Sequence, residues 1–261
     1  MPVAELGNTR IYYRIDGEPG KSVLVLSNSL GTSLEMWAPQ AEALSEHFQV
    51  LRYDTRGHGQ SGVPPGPYTM SILAADVVGL LDHLGIAKAH FCGLSLGGIT
   101  GMRLALDFPE RIDRLVLCNT AAFIGPPGNW TARAEKVRAE GMGAIADAVV
   151  TRWLTPDFAE GHADLVTGLR RMLVATDAEG YAANCCAVRD ADLREEVRHI
   201  TAPTLVIAGS GDVPTPPSDA AYLAATIPGA QYVELEAAHI SNLQQPVRFT
   251  AAVLAFLKRQ T

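Results

Sequence analysis

Three residue types, in one order along the chain, carry most of the chemical content of this sequence. A serine stands in Gly93-Leu94-Ser95-Leu96-Gly97-Gly98, an aspartate ends Ala208-Gly209-Ser210-Gly211-Asp212, and a histidine ends Glu236-Ala237-Ala238-His239. A serine hydroxyl attacks a carbonyl only when a base takes its proton, and the base needs an acid group to hold its tautomer. The chemistry within reach is acyl transfer by Ser95, with His239 as base and Asp212 as its orienting acid. The other histidines fall on predicted elements or at their ends, except His58. That residue sits between Gly57 and Gly59 in a turn, where a hydrogen bond to backbone is the expected use. Asp219 is close to Asp212 but lies a turn into the next predicted helix. Only a neutral imidazole can take a proton, so activity is expected to fall on the acid side.

Such a serine needs a tight corner between a strand and a helix. The apolar run over 89–92 predicts the strand, and Leu96, Ile99, Thr100, Arg103, Leu104 and Leu106 predict the helix. This is the context of a nucleophile elbow. Chain passes close on both sides of the corner, so Gly93 and Gly97 stand where a Cβ would collide. The Leu96 N–H opens the helix and points toward the oxyanion. A second donor is expected from the loop Ser27-Asn28-Ser29-Leu30-Gly31-Thr32, with Leu30 N–H the candidate by position.

The remaining elements follow from periodicity. Residues 3–6 and 10–15 read as paired strands around Gly7-Asn8, and 23–26, 49–53, 114–118, 204–207 and 231–235 read as further strands. Helical patterns cover 36–47, 71–84, 216–226 and 245–258, with Gly85 a fitting stop for the second. Strands alternating with helices predict an α/β class and a mostly parallel, doubly wound sheet of about eight strands. In such sheets, functional groups gather beyond the carboxyl ends of the strands, where Asp212 and His239 both fall. The texture changes after residue 120. A breaker cluster, Gly125-Pro126-Pro127-Gly128, precedes four helix-like stretches near 131–141, 143–154, 157–175 and 177–188. These read as a helical cap inserted at 121–189, with 1–120 and 190–261 forming the core domain.

Bulk properties exclude several classes. A chain of 261 residues can bury a core that needs no staples. No apolar run approaches the ~20 residues of a membrane span, and residues 1–5 lack signal-peptide character, so a cytoplasmic location is expected. Cys92, Cys118 and the adjacent Cys185-Cys186 are expected as reduced, mostly buried thiols. The net charge of −7 argues against nucleic acid or anionic membrane as partner. Gly20-Lys21-Ser22 is not a phosphate loop, because the position that needs a glycine is Ile15 and the segment precedes its strand. With no H-E-x-x-H, no zinc-type cluster and no G-x-G-x-x-G, neither a metal nor a cofactor is expected. A serine at the elbow also argues against chemistries that need a carboxylate there.

With these residues in hand, the whole chain resembles the α/β-hydrolase superfamily. Within it, the chain is similar to the 3-oxoadipate enol-lactonases. That likeness rests on the elbow, on Arg189-Asp190-Ala191-Asp192-Leu193-Arg194, on 238–246 (Ala-His-Ile-Ser-Asn-Leu-Gln-Gln-Pro), and on the loop at 27–32. In that loop Asn28-Ser29 replaces the commoner His-Gly, so Ser29 either donates to substrate or satisfies loop backbone. The resemblance implies a small anionic lactone as substrate. Its carboxylate would need an arginine in a protein of net negative charge. Arg133, Trp130 and Trp153 are the pocket candidates, with Arg152 and Arg189 in reserve; solvated or core roles are the alternative for all three. Competing readings are a serine esterase or perhydrolase, a hydrolase of C–C bonds in ring-cleavage products, or a ligand receptor on the same fold.

Overall fold

The computed structural model describes residues 2–258. Its eight strands are β1 (Val3–Leu6), β2 (Thr9–Asp16), β3 (Val23–Ser27), β4 (Gln49–Tyr53), β5 (Ala89–Leu94), β6 (Ile112–Cys118), β7 (Thr204–Gly209) and β8 (Gln231–Leu235). They form one sheet in the order β1-β2-β4-β3-β5-β6-β7-β8. Only β2 runs against the rest, pairing antiparallel with β1 and β4. The other pairs are parallel. The inner strands β3, β5 and β7 are buried along their whole length, whereas β8 at the edge alternates and lets Tyr232 and Glu234 face solvent. Continuous Val/Leu/Ile runs are what a strand covered on both faces requires.

The chain steps outward from β3 to β4 and then returns past β3 to β5. The loops leaving β3 and β5 therefore diverge toward opposite faces, which opens a crevice at their carboxyl ends. Right-handed crossovers place α1 (Ala38–Ser45) on one face and α2 (Met70–His83) with α3 (Leu96–Asp107) on the other. Between β6 and β7 lie α4 (Pro127–Glu140), α5 (Gly143–Val150), α6 (Pro156–Gly161), α7 (Ala163–Val174) and α8 (Ala178–Asp190). Helices α9 (Pro217–Thr226), α10 (Ser241–Gln244) and α11 (Pro246–Leu257) complete the chain. α2 packs on α3, and α11 packs on α1 across the sheet from them.

Differences from the sequence reading lie at helix boundaries. The stretch expected as one helix over 157–175 is broken at His162, whose backbone leaves the helical region at φ −134 and ψ 49. The His162 ring stacks on Phe158 at 3.8 Å. The last helix starts one residue later than expected, at Pro246, because proline suits a first turn but not a helix interior. Pro127, read as part of a breaker, is likewise the first residue of α4.

α8 is the most firmly seated of the inserted helices. Gly57 and Gly180 meet backbone to backbone, and a Cβ on Gly180 would lie 2.3 Å from Gly57 O. The Asn184 amide donates to Arg56 O at 2.9 Å. Arg56 in turn makes a buried, bidentate pair with Asp76 on α2. On the outer side, α4 packs along α8, and Arg138 forks onto Glu179 at 2.7 Å.

Candidate active site

Ser95 occupies the corner between β5 and α3 with φ 56 and ψ −112. Among the described residues, only Ser95 and Asn119 are non-glycine residues with positive φ. That conformation is costly for an L-residue and persists only where the surroundings over-determine it. They do so here. The Ser95 N–H donates to Cys118 O at 2.9 Å, and Ser95 O accepts from Thr120 Oγ1 at 2.8 Å. A Cβ on Gly93 would lie 2.1 Å from Gly97 O, and one on Gly97 would lie 2.3 Å from Ser27 O. These close approaches are the reason for both glycines.

Asp212 and His239 leave the carboxyl ends of β7 and β8. His239 Nδ1 lies 3.0 Å from both Asp212 oxygens. A carboxylate only accepts, so Nδ1 carries the proton and Nε2 keeps its lone pair. Asp212 also accepts from Thr215 N at 3.0 Å, from Thr215 Oγ1 at 2.8 Å and from Asn119 Nδ2 at 2.9 Å. Burial alone would raise the Asp212 pKa. The facing His239 and these hydrogen bonds outweigh burial and hold the carboxyl below its ordinary value.

Ser95 and His239 line one cavity of about 200 Å³ together with Ser29 and Leu30. No hydrogen bond joins Ser95 Oγ to His239 among the described residues; such bonds tighten in the substrate complex. Trp130, Arg133, Arg152, Trp153 and Tyr181 form the wall contributed by the inserted segment, with Val213 and Pro214 beside it; Arg152 and Trp153 stand in the turn after α5, because the helix expected to reach 154 ends at Val150. All three pocket candidates therefore reach the cavity, and so does Arg152 from the reserve pair. Arg189 does not: it lies outside that wall and forks onto Asp190. Ser29 Oγ makes no hydrogen bond to loop backbone among the described residues, contrary to one of its two expected uses.

The candidate oxyanion donors differ from their neighbours. Ser29 N–H donates to Met36 Sδ, Gly31 N–H to His58 Nε2 and Thr32 N–H to Ser29 O. Leu30 N–H has no acceptor among the described residues. Nor has Leu96 N–H, which as the first residue of α3 lacks an intrahelical partner.

The guanidinium of Arg133 lies over the Trp130 ring at 4.7 Å, and its charge faces the Tyr181 hydroxyl. Arg152 donates to Ala148 O. Neither arginine has a carboxylate partner among the described residues. Burial lowers the Arg152 pKa, and the nearby Arg133 charge lowers it further. Two guanidiniums that repel each other in a half-buried wall constitute a local positive field inside an acidic protein.

Asn119 was not legible as a site residue. It follows β6 at φ 45 and is buried to 1% exposure. Its amide reaches Asp212 and also Ala238 O at 3.1 Å, and it accepts from Ser241 Oγ at 2.5 Å. One side chain thus ties the acid to the loop that carries His239. The sequence signal was slight: an asparagine, tolerant of positive φ, directly after a buried strand.

An eight-stranded sheet with one reversed strand, a serine at a strained elbow, and an Asp–His pair beyond later strands define an α/β hydrolase. Residues 22–246 match the family model of the alpha/beta hydrolase fold, and the chain belongs to that family. It is 45% identical to 3-oxoadipate enol-lactonase 2 of Acinetobacter baylyi over 99% of both chains. It is 40% identical to 3-oxoadipate enol-lactonase 1 of the same species, over 94% of this chain and 92% of that one. The crystal structure of the enol-lactonase from Burkholderia xenovorans LB400 matches with a TM-score of 0.97 at 53% identity, covering 99% of this chain and 100% of that one.

Proposed function

We propose that this protein hydrolyses the lactone ring of 3-oxoadipate enol-lactone to 3-oxoadipate, in the breakdown of aromatic compounds. The observation that carries the reading is the cavity itself. It places Ser95 and His239 on the core side and arginines without carboxylate partners on the facing wall. The likeness to enol-lactonases along nearly the whole chain supports it.

In this scheme Ser95 Oγ attacks the lactone carbonyl as His239 Nε2 takes its proton, with Asp212 stabilising the imidazolium. Leu30 and Leu96 N–H hold the oxyanion. Each such donor is worth roughly 3–4 kcal/mol at the transition state. The ring C–O bond breaks, the enol oxygen leaves with a proton from His239, and the enol tautomerises to the ketone. Water, deprotonated by His239, then attacks the acyl-enzyme and frees Ser95. Residues 121–189 act as the cap. Within it Arg133 binds the substrate carboxylate, Trp130 and Trp153 bound the ring, and Ser29 donates to the substrate from the core side. The test compares hydrolysis of the lactone by wild type and Ser95→Ala. Loss of turnover in the folded variant is expected, and retained turnover would refute the assignment of the nucleophile.

A further inference from the structure

His58 is a buried histidine that this scheme leaves unused. It is 2% exposed, and its Nε2 accepts the Gly31 N–H at 2.9 Å. A ring nitrogen that accepts an amide proton is unprotonated. The hydrogen therefore sits on Nδ1, which faces Arg56 O at 3.4 Å. Burial holds the imidazole pKa down to about 4, so Nε2 stays an acceptor at neutral pH.

Gly31 follows Leu30, and the two peptide planes meet at the Leu30 Cα. The first plane is held from within the loop. Ser29 O accepts from Thr32 N at 3.2 Å and from Thr32 Oγ1 at 2.8 Å. In a trans peptide the N–H points away from its carbonyl, so this grip turns the Leu30 N–H outward. The second plane is held by His58. The loop also packs against the inserted helices: a Cβ on Gly31 would lie 2.4 Å from Leu173 Cδ1 and 3.1 Å from Tyr181 Cε2. The loop is thus hydrogen-bonded to His58 and packed against α7 and α8. The turn that bears His58 is itself seated on α8, through the Gly57–Gly180 contact and the Asn184 bond to Arg56 O.

We propose that His58 is a positioning residue for the oxyanion site. Through the Gly31 N–H it fixes the direction of the Leu30 N–H, and it links that donor to the seating of α8. The proposal rests on Leu30 being a donor, as described above.

The test uses His58→Phe, which fills the space without an acceptor, and His58→Gln, whose amide oxygen reaches the place of Nε2. Each is measured for kcat and KM and for inhibition by methylboronic acid, which adds to a serine nucleophile and places an oxygen in the oxyanion site. A misdirected donor costs less than the 10²–10³-fold loss of a deleted one, so His58→Phe should lower kcat about 10- to 100-fold. KM should stay within about twofold, and boronate inhibition should weaken by the same factor as kcat. His58→Gln should recover most of both. Should His58→Phe not fold, Asn184→Ala loosens the same turn from α8 and should lower kcat about 3- to 10-fold at constant KM. Wild-type kcat in whichever of these two variants is measured, or a loss that His58→Gln shares in full, overturns the proposal. If wild type itself resists the boronate, the serine and oxyanion reading fails first.

Discussion

Replacing Asn119 by alanine would remove a single side chain that serves three partners. The substitution deletes the donor to the Asp212 carboxylate at 2.9 Å and to Ala238 O at 3.1 Å, and the acceptor for Ser241 Oγ at 2.5 Å. A hydrogen bond to a charged group contributes about 1.5–3 kcal/mol, and each buried polar atom left unpaired costs about 1–3 kcal/mol. Alanine must also hold φ 45, a region it visits less readily than asparagine, at about 1 kcal/mol. These effects share one site and do not add in full; the expected loss is about 3–4 kcal/mol. Urea denaturation at pH 7 measures it. Asp212 keeps both Thr215 bonds and both contacts with His239. The fall in kcat should therefore be about 10- to 100-fold, well short of the ~10⁴ typical when the orienting aspartate itself is lost. Thr215 would then be the main remaining support of the carboxylate. A stability change under about 1 kcal/mol, or a kcat loss equal to that of Asp212→Asn, would refute this account of the network.

Three further outcomes follow from the same structure. Arg133→Ala should raise KM for the anionic lactone about 10- to 100-fold, the worth of a charge-assisted pair. KM for a neutral p-nitrophenyl ester should stay nearly unchanged, and an equal effect on both substrates would sink a carboxylate-binding role. Gly97→Ala puts a Cβ 2.3 Å from Ser27 O, which the backbone of β3 cannot yield. The variant should lose several degrees in thermal melting or fail to fold, so a wild-type melting temperature would contradict the elbow geometry. The third concerns acid stability. The pKa of His58 is about 4 when folded, below the unfolded ~6.5. The unfolded chain then binds more protons between those values, so this group's contribution is lost as pH falls from about 6.5 toward 4. Asp54, raised to about 6 by burial, acts in the opposite sense: its contribution is present in acid and lost as pH rises through 6. The advantage of wild type over His58→Gln isolates the histidine and should shrink by about 2–3 kcal/mol from pH 7 to pH 4. A pH-independent gap would count against it.

The sheet was readable because its signals are local. Runs such as Val23-Leu24-Val25-Leu26 encode burial on both faces by composition alone. The elbow was readable because steric need leaves a glycine signature on both sides of Ser95. Asp212 and His239 were readable through their places just after strands in a sheet whose polarity was already inferred. What stayed hidden depends on contacts between distant parts of the chain. Asn119 meets Asp212 across 93 residues, and His58 meets Gly31 across 27. Neither pairing leaves a periodic trace. A histidine in a glycine turn suggests a backbone partner without naming it. The arginines of the inserted segment show a related limit. The helices of Arg133 and Arg189 were expected, whereas Arg152 stands in the turn after α5; only the fold turns Arg133 and Arg152 into the cavity while Arg189 pairs with Asp190 outside it. The break at His162 left one weak local signal, Gly161 just before it, because a single glycine lowers helix propensity without by itself ending a helix.

The most direct measurement is hydrolysis of 3-oxoadipate enol-lactone by wild type beside p-nitrophenyl acetate, with Ser95→Ala as control for both. kcat/KM for the lactone should be at least about 100-fold higher, equivalent to about 2.7 kcal/mol of transition-state binding by the arginine wall, and the variant should turn over neither substrate. Turnover of the acetate without the lactone would contradict the proposed substrate, and turnover by Ser95→Ala would contradict the mechanism.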